Sequence, residues 1–287
     1  MKKNRFLWLF LALLIATTLV LATIALAGSS PYFNKIKNEG KLKIGFNADY
    51  EPFCRWQNDP LDGFDVALAK ALVDKLGLDF DTDVAPLRVH PADVANLLNN
   101  GEIDIAIAGL TVSSERARSV AFTEPYYVAT LGALLSRARI PETVAEGLRQ
   151  PMTIHNLFDM QKLPKLNVGA KKNTTVFDKA KTFFPKINEC DSLDDAIDKL
   201  NSGELDAFIH EDPFLRYYAA THPNKSRFVV VAGRATYERL AIAIRQGDPD
   251  FLNWLNVALQ ELRDDGSLKR WENLYFDGTG WQQEVQP

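Results

Sequence analysis

The sequence predicts an α/β protein of alternating strands and helices, and three observations carry that prediction. Asp104 to Ala108 (DIAIA) is almost wholly apolar and reads as a short strand buried on both faces. Residues 63–77 (GFDVALAKALVDKLG) place Val66, Ala69, Val73 and Leu76 on one helical face, and Gly77 stops the helix. The order strand, loop, helix then recurs along the chain, which is β/α architecture.

Ahead of these elements, Met1 to Arg5 carries three positive charges and no acid, and Phe6 to Ala27 is an apolar run of 22 residues. That is the pattern of an export signal, with Ala25-Leu26-Ala27 as a small-x-small cleavage site before Gly28. The run is also long enough to stay in a bilayer as an uncleaved anchor. Removing residues 1–27 takes away three of the 33 basic residues and none of the 37 acids, so the formal charge moves from −4 to −7. An acidic body argues against nucleic acid as a partner.

Two cysteines, Cys54 and Cys190, are too few for a disulfide framework and are expected to be unpaired. His90, His155, His210 and His222 are scattered without metal-ligand spacing. Neither a metal nor another cofactor is expected.

Gly40 to Phe46 reads as the first strand and Asn47 to Phe53 (NADYEPF) as the loop after it, in which Tyr50 offers an aromatic face and Pro52 stiffens the chain. A second strand is expected near Asp79 to Val84 and a helix from about Ala92 to Asn99. The strand at Asp104 to Ala108 ends in Gly109 and leads to Thr111, Ser113 and Ser114. Ligands sit at that end of strands in open α/β sheets. Arg116 follows Thr111 by five residues, and its planar fork suits a carboxylate. Thr111, backbone N–H groups and Arg116 together make an anion clamp; the same stretch also fits a short helix capped by Ser113.

Beyond Tyr127, VATLGALLS is an extended run that crosses into a second lobe, and Arg137 to Pro164 is a polar stretch without an assignment. Leu166 to Ala170 is the next strand, followed by Asn173, Thr174 and Thr175 ahead of a helix through about Phe183. Hydroxyls at a helix N-terminus make either an anion cradle or a cap. Ser192 and Asp195 form a capping pair for the helix Leu193 to Leu200, ended by Gly203. Residues 205–213 (LDAFIHEDP) make a buried strand ending in two acids, Glu211 and Asp212. Glu211 is the one expected to accept from an ammonium, with Asp212 as helix cap, although the two can exchange roles. Phe228 to Ala232 is a strand, and YERLAIAIR (237–245) returns to the first lobe. Asp248-Pro249 opens an amphipathic helix that Asp264-Asp265-Gly266 stops, and a last helix runs from Ser267 to about Tyr275.

GLTVSSER followed by VAFTEPYY resembles a segment of the bacterial extracellular solute-binding proteins of family 3, the periplasmic binders of polar amino acids. The resemblance implies that Gly109, Thr111 and Arg116 hold a ligand α-carboxylate and that Tyr50 stacks on the ligand side chain. Asn47 falls where lysine- and glutamine-type members carry Asp, which weakens the case for a cationic side chain. VGAKKNTTVFDKA resembles the second-lobe loop, so Thr174 and Thr175 take the role of carboxylate contacts, with Asn173 replacing a Gly. Glu211 stands where the family has Asp for the ammonium. Pro91, beside His90, replaces an aromatic that usually completes the sandwich around the ligand.

Running from about Leu42 to Phe276, the resemblance implies a two-lobed, type II periplasmic binding protein-like fold with a two-stranded hinge. Lobe 1 would comprise residues 28–129 and 237–287, lobe 2 residues 130–236, and residues 1–27 the signal peptide. The implied function is capture of a polar amino acid in the periplasm, by a monomer, for delivery to the membrane permease of an ABC transporter. Two alternatives come with it: an exported cyclohexadienyl dehydratase acting on prephenate or arogenate, and a membrane-tethered ligand sensor.

Overall fold

The alternation of apolar strands and amphipathic helices resolves into two separate five-stranded sheets. The computed structural model describes residues 31–56, 61–139, 156–163, 165–222, 225–231 and 236–276. The export signal and most of the 137–164 stretch lie outside the described residues. Among the described residues no helix is long and apolar enough to cross a membrane.

The first part of the chain supplies β1 (Leu42–Phe46), β2 (Asp49–Tyr50), β3 (Cys54–Arg55), β4 (Val84–Arg88), β5 (Ile105–Ala106) and β6 (Ala121–Phe122). Next come β7 (Tyr127–Ala129) and then, in the second sheet, β8 (Leu131–Ser136), β9 (Val168–Lys171), β10 (Asn188–Cys190), β11 (Ala207–Glu211) and β12 (Phe228–Val231). The chain ends with β13 (Glu238–Leu240) and β14 (Ala243–Ile244). Strand order is β4-β1-β5-β14-β6 in one sheet and β10-β9-β11-β8-β12 in the other. β1 runs parallel to β4 and β5, whereas β14 returns antiparallel between β5 and β6. The fold is therefore the two-lobed, type II α/β arrangement that the sequence predicts.

Each sheet is covered on both faces because its strands are apolar on both faces. Ile44, Phe46, Leu68, Leu72, Leu255 and Leu259 belong to one core cluster of the first lobe, and Val94, Leu98, Ile103 and Ala106 to another. In β8 the alternation is explicit: Ala133 and Leu135 enter one core, Leu134 the other. Between the sheets, β7 and β13 pair antiparallel as a two-stranded ribbon.

Several expectations hold in detail. Asn173 takes a left-handed φ of 58°, the conformation for which Gly is the usual residue. Ser192 accepts from Asp195 N, and Gly203 ends that helix at φ 81°. Cys54 and Cys190 are both buried, and no disulfide joins them.

Others are corrected. The strand expected at 79–84 begins only at Val84, because the Asp79 carboxylate accepts from Asp81 N and Thr82 N and winds the preceding residues into a helical turn. β4 is an edge strand with largely exposed side chains and a proline, so it lacks the apolar signal of its neighbours. The segment taken as a plain loop after β1 contains the β2–β3 hairpin. A helix at Pro31–Glu39 was not foreseen; Asp248 ties it down by accepting from Tyr32 N (3.1 Å) and Phe33 N (2.9 Å).

Asp248 also accepts from Phe251 N at the start of the helix Pro249–Asp264 (3.2 Å), and it is buried. Asp248→Ala strands three N–H donors at once, and is expected to lower stability by about 3 kcal/mol. Urea unfolding checks this as a lower midpoint at unchanged slope.

Candidate functional site

The site begins where β5 stops. Gly109, just beyond it, has φ 59°, and a Cβ there would lie 2.3 Å from the Tyr50 ring. Only glycine permits that approach. Tyr50 ends β2, stacks on Phe53 (5.0 Å between centroids, 12°) and lies 6.4 Å from the His210 ring. Gly109 N donates to the Tyr126 hydroxyl (3.2 Å), which itself donates to Asp65 Oδ1 (2.9 Å). Asp65 is fully buried; burial pushes its carboxyl up to about 7, with the Tyr126 and Gly109 hydrogen bonds acting the other way.

Thr111 is held by a bridge to Leu240 on β13, and its carbonyl accepts from Arg116 Nη1 (2.9 Å). Arg116 opens a short 3₁₀ turn whose first N–H is met by Ser113 Oγ (3.2 Å). The Ser113 hydroxyl therefore does the capping, and the Arg116 side chain bonds back to the Thr111 carbonyl. Partial burial lowers the guanidinium's pKa, and the charges of Glu238 and Glu115 offset that fall.

From the second lobe, Glu211 ends the central strand β11 and is buried, with Oε2 at 2.7 Å from His210 Nδ1. Burial raises its pKa, but the charge and hydrogen bond of His210 and a hydrogen bond from Tyr50 more than compensate, so the carboxyl sits below its ordinary value. Tyr50 is correspondingly pushed up, first by burial and then by the negative charge of Glu211. The two lobes therefore meet at Tyr50 and Glu211.

Asp212 is not a cap. It is the first residue of the helix Asp212–Thr221, and its carboxylate turns back to accept from Thr130 N (2.7 Å) and the Tyr127 hydroxyl (3.3 Å). Those bonds occupy it at the junction of β7 and β8. Thr174 Oγ1 accepts from Phe177 N (3.1 Å) and donates to the Lys171 carbonyl (2.7 Å), so the hydroxyl is spent on the helix Thr175–Phe183. Thr175 is half-buried at that helix's first position, and Asn47 is half-buried just after β1. Beside Pro91, which stands in place of the missing aromatic, exposed His90 accepts from Ala92 N through Nδ1 (3.3 Å).

Sequence reasoning missed Glu238. It lies fully buried on β13, paired in register with Ala129, and Lys179 of the helix Thr175–Phe183 meets its Oε1 as an ion pair. Its charge acts on both Arg116 and Tyr50. The signal was present: in YERLAIAIR, Glu238 shares the strand parity of Leu240 and Ile242, both of which are buried. No group of three His, Cys, Asp or Glu among the described residues is placed to hold a metal.

Two α/β lobes, a two-stranded ribbon between them, and a cation and an acid contributed from opposite lobes define a two-lobed solute-binding protein. The chain belongs to the bacterial extracellular solute-binding proteins, family 3, which match residues 42–278. It is 29% identical to the arginine-binding extracellular protein ArtP of Bacillus subtilis, over 94% of this chain and 98% of that one. It is 27% identical to a probable histidine-binding protein of Neisseria gonorrhoeae, over 85% and 87%. Among solved structures it resembles an ancestral cationic amino acid solute-binding protein, AncCDT-1 (31% identity, TM-score 0.70, 85% of this chain and 98% of that one). It is also similar to a putative ABC-transporter binding component from Wolinella succinogenes complexed with lysine (29%, TM-score 0.70, 85% and 99%).

A carboxyl with its pKa raised on folding favours the folded state only while protonated. Asp65 therefore contributes stability that is full below pH about 4 and lost as pH rises through about 7. Asp65→Asn is expected to remove that slope, so that the stability difference between the two proteins changes between pH 4 and 7 by on the order of a few kcal/mol. Urea titrations of both proteins across this range provide the check.

Proposed function

We propose that this protein captures an amino acid between its two lobes and delivers it to the membrane permease of an ABC transporter. The observation that carries the reading is that the two lobes offer opposite charges withdrawn from water, Arg116 half-buried in the first lobe and Glu211 buried at the end of the second lobe's central strand. An α-amino acid is a carboxylate and an ammonium at fixed separation, and desolvated charges of opposite sign are its complement. Arg116 and Thr111 hold the carboxylate beside Gly109, Glu211 takes the ammonium, and Tyr50 packs on the side chain. Thr175 and the N–H groups at the start of its helix approach from the second lobe. Since contacts come from both lobes, ligand favours the closed form and the β7–β13 ribbon bends.

The lobe limits of 28–129 with 237–287 against 130–236, the periplasmic location and a monomeric state belong to the same proposal. It takes the protein as a binder and not an enzyme, a reading supported by the solute-binding names of its relatives. One similar structure is titled an amino acid-binding precursor of cyclohexadienyl dehydratase, so prephenate turnover is the control that separates the two activities.

Arg116→Ala is expected to keep the fold, seen as an unchanged far-ultraviolet spectrum, while amino acid affinity falls by about 100-fold or more in calorimetry on refolded protein. Undiminished affinity would overturn the site. N-terminal sequencing of the exported product is expected to begin at Gly28; an intact Met1 would identify a tethered protein instead.

A further inference from the structure

We propose that Glu238 is a second ligand-binding carboxylate, set in the floor of the cleft, and that it selects amino acids with a cationic side chain. The inference rests on the amino acid capture proposed above and names the class of ligand. Similarity alone does not choose it, because the relatives' names include arginine, histidine, cystine and glutamate binders.

The ribbon fixes where Glu238 points. Glu238, Arg239 and Leu240 pair with Ala129, Val128 and Tyr127. Arg239 and Val128 are exposed, whereas Glu238, Leu240 and Ala129 are buried. The two-residue period of a strand thus turns Glu238 inward, on the side where its charge reaches Arg116 and Tyr50. These are the two residues assigned to the ligand's carboxylate and side chain.

Its oxygens are also underused. Lys179 makes an ion pair with Oε1, and Oε2 accepts no hydrogen bond from any described residue. A carboxylate has about four acceptor sites, and burying one so incompletely satisfied is unfavourable. Lys179 is 36% exposed while the Glu238 side chain is 0% exposed. The lysine can therefore swing its ammonium into water on a flexible stem, and the glutamate has no such exit.

The charges then sort themselves. Arg116 and Glu211 answer the carboxylate and the ammonium common to all amino acids. Glu238 is the acid left over, and a guanidinium or ammonium on the side chain would supply the donors it lacks. An acidic side chain would face repulsion at the same place.

The test compares arginine with citrulline, which has the same shape but a neutral ureido group, by calorimetry on the full-length protein after refolding. Wild type is expected to bind arginine about 10-fold tighter or more. In Glu238→Gln that ratio is expected to collapse to within about 3-fold, and in Lys179→Gln, which leaves the acid without its internal partner, to rise. A ratio that stays the same in both variants would make the Lys179 pair purely structural and overturn the inference while capture stands. Equal or weaker binding of arginine in wild type overturns it as well. If Glu238→Gln fails to fold, the direction of change in Lys179→Gln decides. Binding of neither ligand, nor of any other amino acid, removes the capture reading itself and this inference with it.

Discussion

Carboxylates withdrawn from water are the constraint around which this molecule is arranged. Each is compensated differently. Asp212 is locked to the backbone at Thr130, Asp65 leans on Tyr126, and Glu211 is flanked by His210 and Tyr50. Glu238 has one lysine, from the opposite lobe. The series runs from acids fully committed to the framework to acids with acceptor capacity left over. Because desolvation is favourable only when charges find partners, the approach of the lobes and the occupancy of the cleft become a single equilibrium.

The hinge shows how backbone and side chains divide that task. β7 and β13 share only a short ladder, Glu238–Leu240 against Tyr127–Ala129. Asp212 anchors the second lobe to the end of one strand, and Thr111 and Val112 attach the first lobe to the other through Leu240 and Arg239. The flexible element is therefore held firmly at both ends and left narrow between them.

Sequence made most of the scaffold legible because its signals are local. Apolar runs marked β5, β8 and β11, and capping chemistry marked the helices after Ser192 and Asp248. Asn173 in a left-handed turn followed from the missing Gly of a familiar loop. What escaped was set by distant partners. Asp65 sits in the first turn of a helix, where an acid is normally solvated, and its burial depends on Tyr126, 61 residues away. Glu238 acquires meaning only when the helix bearing Lys179 is packed against the ribbon. β4 failed for the opposite reason: an edge strand with exposed side chains carries no apolar pattern to read. Thr174 reads equally as a cap or a ligand contact in sequence, and its hydroxyl bonds to the Lys171 carbonyl and Phe177 N show the cap.

The two buried thiols have a consequence of their own. Cys54 belongs to the main core of the first lobe and Cys190 to a core cluster of the second. Each lobe thus contains one silent chemical reporter, shielded from reagents as long as its own packing is intact. The order in which the lobes come apart can be timed by watching which sulfur is alkylated first.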